Sequence, residues 1–299
     1  MSIGIVVEYN PFHNGHLKQI NFIKENFPEE EIVIVMSDKY TQRGEINVLP
    51  FEKRVEIAKK FGINKILKLS FEETVQAAHI FAQNAIKKLN EYGIDRLVFG
   101  SETNDSETMI ECAKILVENE TKFYALTRKI MKLEKISFPK ASNLALQELS
   151  SKNYTMPNDI LGLEYVKTII KNNLKIEIIT IKRNIPFHST EPLEKYASAS
   201  LIRNLIKNNK DVSQYMPIKI DINSVDYVQN HYNEFQKIMK SIDIEKLQKI
   251  PVISEGIENL LLKNINAKTY EDFVNKCTSK RYTSSRIKRI ISWVLEKKF

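Results

Sequence analysis

The sequence predicts an α/β fold, a doubly wound parallel sheet followed by a helical C-terminal region. Short apolar runs of strand length alternate strictly with helical patterns through the first hundred residues, the pattern of βαβ units. From about Lys207 onward helical patterns continue without strand alternation. The polar turn His13-Asn14-Gly15-His16 lies where a strand ends and a helix begins, on the edge where such sheets bind ligands.

Ile3-Gly4-Ile5-Val6-Val7 reads as a buried first strand. The helix after it takes up its period at Leu17, Ile20 and Ile23, and Glu31–Met36 is a second buried strand. Residues 37–48 form a polar loop holding Gln42-Arg43-Gly44 at that strand's carboxyl end. Pro50 opens a helix with Phe51, Val55 and Ala58 at helical spacing. Ile66–Leu69 is a third strand. One long helix should follow, with Val75, Ala78, Ala82, Ile86 and Leu89 on one face. Arg96–Phe99 is a fourth strand, closed by Gly100-Ser101. Residues 105–172 read as mainly helical, with breaks near Pro139 and over Tyr154–Asn158. Lys175–Ile181 alternates as a fifth strand, which puts Arg183 on the ligand edge. A loop through Pro186, His188 and Pro192 leads to Ser198-Ala199-Ser200, whose hydroxyls suit the cap of a helix near Leu201. Residues 1–207 are expected to form the nucleotide-binding unit and 208–299 a helical, basic region.

With 299 residues, 42% hydrophobic and 27% charged, the chain has the composition of a soluble globular protein. No apolar run approaches the ~20 residues of a membrane span, and no leader pattern opens the chain, so the expected setting is cytoplasmic. Cys112 and Cys277 stand alone, without the spacing of a zinc site or a disulfide framework. The net charge of +8 suits a polyanionic partner. Most of it sits at one end: residues 275–299 hold eight Lys and Arg against one Glu, net +7. There Ile287, Ile290, Ile291 and Val294 form an apolar stripe. Arg286, Lys288 and Arg289 flank it, with Lys280, Arg281 and the ring of Tyr282 just before. Such a helix is either a solvated basic face or a phosphate-contact surface.

A helix start at the end of a strand offers free N–H groups and the positive end of a dipole, a seat for phosphate. His13 and His16, three residues apart, can face that seat together. Gly15 keeps the approach clear of a side chain.

EYNPFHNGH, SDKYTQRGE, FGSE, PNDILGLEY, ASASLIR and KRYTSSRIKR together resemble the tRNA(Met) cytidine acetate ligase family, of the HxGH nucleotidyltransferase-like superfamily, over nearly the whole chain. The resemblance implies a Rossmann-like sheet of that type. It also implies ATP-dependent activation of acetate as acetyl-adenylate, then acetyl transfer to N4 of the wobble cytidine of elongator tRNA(Met). The ATP contacts it implies are Val6, Val7, Glu8, Tyr9, Asn10, Pro11, Phe12, His13, Asn14, Gly15, His16, Leu17, Lys18 and Gln19, with Gly100, Asn158 and Arg183. Ser198, Ser200 and Arg203 resemble the superfamily's second phosphate-binding segment. His13 and His16 are then the catalytic donors to transition-state charge. Mg²⁺ on the β- and γ-phosphates is expected from the chemistry, and no metal-ligating residue is assigned. Lys280, Arg281, Tyr282, Arg286 and Arg289 are the candidate tRNA contacts. Family members are expected to continue for ~100 residues past the KRYT segment. Helix capping remains an alternative for Asn158 and the two serines. Two other functions compete: a small-molecule adenylyltransferase with the same site, which needs no basic tail, and a non-catalytic RNA binder, which needs no histidine pair.

Overall fold

A computed structural model describes residues 1–63, 65–183, 191–221 and 225–297. Pro186, His188 and Lys298 lie outside these. The order is β1 (Ser2–Val7), α1 (Asn14–Asn26), β2 (Glu31–Ser37), α2 (Phe51–Lys60), β3 (Lys65–Leu69), α3 (Phe71–Thr74), α4 (Ala78–Tyr92) and β4 (Arg96–Ser101). Then come α5 (Ser106–Glu118), α6 (Glu120–Glu134), α7 (Phe138–Ser150), α8 (Pro157–Lys171), β5 (Glu177–Lys182) and α9 (Ala199–Lys207). The rest is helical among the described residues: α10 (Tyr232–Ser241), α11 (Ile244–Gln248), α12 (Ile257–Asn264), α13 (Tyr270–Cys277) and α14 (Ser284–Lys297), with short 3₁₀ turns.

All strand pairs are parallel, in the order β3-β2-β1-β4-β5. The winding therefore reverses between β1 and β4, where a crevice opens beyond the strand ends. Alternate residues of the strands face two cores. Val33, Val35, Leu97 and Phe99 pack with α4, α5 and α8. Ile3, Ile5, Ile34 and Val98 pack with α1, α2 and α9.

The long helix expected after the third strand is broken. Ser70 and Glu73 close a reciprocal capping box around α3, and the helix ends after one turn. Val75 is left outside both helices, and its carbonyl accepts the indole N–H of Trp293 at 2.8 Å. The fold trades helix continuity there for an anchor on α14.

That anchor is one of several. The apolar stripe of α14 is buried as its spacing predicts, in a third core that also takes in Tyr40 and Val75. Ser292 Oγ donates to Gly44 O (2.6 Å), and Lys288 pairs with Glu45 at 2.7 Å. Gly44 has φ +78°, and a Cβ there would lie 2.7 Å from Arg289 Cα. Only glycine fits both that backbone and that contact. The C-terminal helices are thus built onto the loops of the sheet's ligand edge.

Candidate active site

His13 is the N-cap of α1: its Nδ1 accepts the Gly15 N–H at 3.0 Å, and His16 Nδ1 accepts the His13 N–H at 3.3 Å. The two rings stack with centroids 3.8 Å apart. A Cβ on Gly15 would sit 2.9 Å from His13 Cε1, so the glycine makes room for the capping ring. Burial, then Arg183 and Arg203, push His13 down to about 3. Burial, then His13 and Arg183, hold His16 well below an ordinary histidine. Both rings are therefore neutral at pH 7. With each Nδ1 engaged as an acceptor, the proton sits on Nε2. The capping box makes the pair two fixed N–H donors.

This arrangement sets a pH dependence. Unfolded histidines take up a proton near pH 6.5, whereas folded His13 does so only near 3. Stability is then fully present above pH ~6.5 and is lost as pH falls toward 3, at up to about 1.4 kcal/mol per pH unit for each histidine. Thermal melts of nucleotide-free protein between pH 7 and 4 should fall less steeply for His13→Asn than for the natural chain. Equal slopes would mean that His13 is charged in the fold.

The turn before the pair is tightly held. Tyr9, at φ 48°, is fully buried against Phe12 and His16. Asn10 precedes a cis Pro11 and accepts the Val48 N–H through Oδ1 at 2.7 Å. Arg203 donates to Asn10 O at 2.8 Å and reaches Glu45 at 3.8 Å. Arg54 lies beneath, fully buried, and donates to the carbonyls of Leu49 (3.0 Å), Glu8 (2.8 Å), Ser37 (2.8 Å) and Asp38. It ties the ends of β1 and β2 together. Sequence reading missed it, because an arginine within an amphipathic helix looks like its solvent face and carbonyl partners leave no mark in the sequence.

Across the crevice, Arg183 follows β5 as expected, its N–H bonded to Ser101 O at 3.0 Å. Its side chain lies 3.7 Å from Glu102, and its buried Nε makes no hydrogen bond among the described residues. Asn158 is not a helix cap: Met156 holds that place in α8. Instead Asn158 Nδ2 donates to Glu102 Oε1 at 2.5 Å, and the Asp159 N–H donates to Glu102 Oε2 at 3.0 Å. Buried Asp159 accepts in return from Ser101 Oγ and the N–H groups of Glu102 and Thr103. This reciprocal lock positions Asn158, and Glu102 and Asp159 had no recognisable signal of their own. Ser198 does cap α9, accepting the Leu201 N–H at 3.1 Å.

Both sides open into one cavity of about 1110 Å³, above the ~300–1,000 Å³ usual for a small-molecule site. Of the expected ATP run, Val6 through Asn10, His13, Gly15, His16, Lys18 and Gln19 line it, as do Gly100, Asn158 and Arg183. Phe12 does not; it stacks on Phe61 in the core at 4.8 Å. Leu17 packs against the same core. Asn14 donates to the carbonyls of Lys195 and Gln214, joining α1 to the segments flanking α9. These three residues and Pro11 shape the turn rather than face the cavity.

The basic tail divides. Lys280 and Arg281 are exposed. Arg281 lies at the cavity's rim and lines it with Arg286 and Arg289, Arg286 tied to Glu255 and Ser254, Arg289 with a buried Nε that makes no hydrogen bond among the described residues. Tyr282 is buried at 8% exposure, its hydroxyl donating to Glu255 O at 2.8 Å. The Arg281 and Arg286 guanidinium groups lie 5.5 and 5.4 Å from its ring centroid, so little of the ring is open to a base. No three His, Cys, Asp or Glu side chains converge as metal ligands among the described residues. A Mg²⁺ ion would there be held chiefly by phosphate oxygens and water.

Fixed neutral donors and arginines around a strand–helix junction define a protein that works on a nucleotide phosphate. The family profile described as HIGH Nucleotidyl Transferase matches residues 1–297. The chain is 50% identical to the tRNA(Met) cytidine acetate ligase of Mycoplasma mobile, over 99% of this chain and 98% of that one. The crystal structure of Thermotoga maritima TmcAL superposes with a TM-score of 0.90 at 31% identity, covering 99% of this chain and 75% of that one. The same protein bound with alpha-thio ATP gives 0.87 at 30% identity and the same coverage. The chain belongs to the tRNA(Met) cytidine acetate ligase family. The expected longer relatives include the Thermotoga maritima protein, while the Mycoplasma mobile protein has nearly this chain's length.

Proposed function

We propose that the protein activates acetate with ATP as acetyl-adenylate and transfers the acetyl group to N4 of the wobble cytidine of elongator tRNA(Met). The observation that carries this reading is the neutral, stacked His13–His16 pair at the start of α1, facing Arg183 across the cavity. Attack of acetate on the α-phosphate builds charge on its oxygens and on the leaving pyrophosphate. The two Nε2–H donors and the arginine side chain meet that charge without reorganising. Holding acetate and ATP in line supplies much of the remaining rate. When bound, Mg²⁺ would neutralise the β- and γ-phosphates. The test is acetate-dependent exchange of pyrophosphate into ATP without tRNA, followed by mass analysis of nucleosides from tRNA incubated with ATP and labelled acetate. Exchange that requires a different acceptor, such as a mononucleotide, would turn the site into that of a small-molecule adenylyltransferase.

Arg183→Ala removes a cation whose ion-pair partner among the described residues, Glu102, is 3.7 Å away. It should weaken ATP binding by about tenfold or more, as loss of a charge-assisted contact worth ~1.5–3 kcal/mol implies. Isothermal titration checks this. Asn158→Ala should weaken ATP binding less, since its amide is already shared with Glu102. Unchanged affinity in both variants would withdraw these two residues from the ATP site.

For tRNA, Lys280 and Arg281 are the more exposed of the candidate cations, Arg286 and Arg289 the less exposed. Replacing Lys280 and Arg281 with alanine should reduce the salt slope of tRNA binding by about 1.5, at 0.7–0.9 per phosphate contact, and leave pyrophosphate exchange intact. A filter-binding slope equal to the natural chain's would make them an ordinary solvated pair.

A further inference from the structure

The cavity extends past the nucleotide edge into a second compartment. Its walls are the first turn of α4, the paired helices α6 and α7, and the middle of α8, which contribute His79, Tyr124, Arg128, Phe138 and Glu164. Acetyl transfer needs something the first compartment lacks. The exocyclic amine of cytosine is a weak nucleophile, because its lone pair is delocalised into the ring, and it must lose a proton as it acylates. His13 and His16 cannot take that proton, since each Nδ1 already accepts a backbone N–H and each Nε2 carries hydrogen. The carboxylates nearby are committed too: Glu8 to the Gln42 N–H, Glu45 to Lys288, Glu102 to Asn158 and Asp159.

His79 differs. Its imidazole makes no hydrogen bond among the described residues and touches the ring of Phe138, with centroids 5.9 Å apart. Glu164 stands near it on α8, clamped by Lys167 one helical turn on. The remaining described histidine, His231, is paired with Asp226 outside the cavity. We propose that this second compartment receives the extruded acceptor base and that His79 is the general base for the transfer step, a reading that rests on the acetate-ligase function above. The amine nitrogen attacks the carbonyl carbon of acetyl-adenylate and a C–N bond forms. The bond from that carbon to the phosphate oxygen breaks, and AMP leaves with the electron pair. The amine proton passes to His79 and then to water. Tyr124 and Phe138 offer rings for stacking, and the fixed Glu164 carboxylate suits the donor edge of cytosine, since a carboxylate accepts from N4. Extrusion of a base costs a few kcal/mol and is easiest from a single-stranded loop.

The charged groups facing His79 agree with the role. Burial lowers its pKa first; Glu164 pulls it up, while Lys167 and Arg289 push it down, and the net shift is downward. The ring is thus neutral and ready to accept a proton at pH 7.

The decisive experiment compares His79→Gln and His79→Ala with the natural enzyme, using unmodified elongator tRNA(Met) transcript, ATP and labelled acetate. Tests are tRNA-free pyrophosphate exchange and single-turnover acetyl transfer from preformed acetyl-adenylate across pH 5–8. Expected are exchange within about twofold, transfer slowed by ~10²–10³-fold, and partial rescue of His79→Ala by added imidazole. The natural enzyme should show a transfer limb below pH ~6.5 that both variants lack. Transfer at the natural rate in either variant would overturn the assignment. So would parallel loss of exchange and transfer without imidazole rescue, the mark of a structural residue. A natural enzyme inactive in both steps would remove the acetate-ligase reading itself, and this inference with it.

Discussion

Replacing His16 with alanine should slow acetate-dependent pyrophosphate exchange by ~10²–10³-fold, the usual loss on deleting one preorganised donor to transition-state charge. The ring has two jobs that substitution can separate. Nδ1 accepts the His13 N–H in the capping box, and Nε2 carries the proton that faces the cavity. Asparagine places an acceptor near Nδ1 but reaches no further, whereas glutamine extends an N–H donor toward the position of Nε2. His16→Asn should therefore melt like the natural protein yet show the full loss of exchange. His16→Gln should recover part of the rate and lose about 1 kcal/mol of stability with the cap. Because the ring is held neutral, exchange should also be flat between pH 6 and 8. Full exchange in a folded His16→Asn variant would remove this residue from the chemistry.

The largest expected change in stability comes from Arg54. Its guanidinium, pushed down to about 10 by burial, remains charged at pH 7 and serves four carbonyls at the ends of β1, β2 and the loop before α2. Arg54→Met fills similar space and leaves those acceptors unpaired, at ~1–3 kcal/mol each before relaxation. A loss of about 4–5 kcal/mol is expected, the upper end for a point substitution, with a melting point lower by roughly 10 °C. Nucleotide binding should weaken with it, because Glu8 and the residues after Ser37 lose their common tie. Urea unfolding decides the matter: a change under 1 kcal/mol would mean that water or a shifted loop replaces the guanidinium.

What the sequence made legible was written in side-chain periodicity and in short polar turns. The five parallel strands, the histidine pair at the start of α1 and Arg183 beyond β5 all follow from local pattern, as does the buried stripe of α14. The break at Val75 was not legible, because the indole that takes up its free carbonyl, Trp293, lies more than two hundred positions away. Asn158 looked like a cap because asparagine is common there, but Pro157 begins α8 two residues earlier than that reading requires. Its real partner, Glu102, is acidic and adjacent to a strand, features shared by many surface residues. The basic tail was legible as charge but not as direction: Arg289 and Arg286 turn inward because the stripe that buries α14 also rotates them over the cavity.

The contact between Gly44 and Arg289 has a genetic consequence. Helix α14 is encoded more than two hundred codons after the histidine motif, yet Ser292 and Trp293 hold the loop after β2 and the link before α4 that border the nucleotide site. A nonsense codon just upstream of Ser284 would spare every residue of the histidine motif and still unseat the loop that carries Gln42 to Glu8. Helix α14 is therefore no more expendable than the histidine motif, and loss-of-function alleles should be as frequent within it as around that motif.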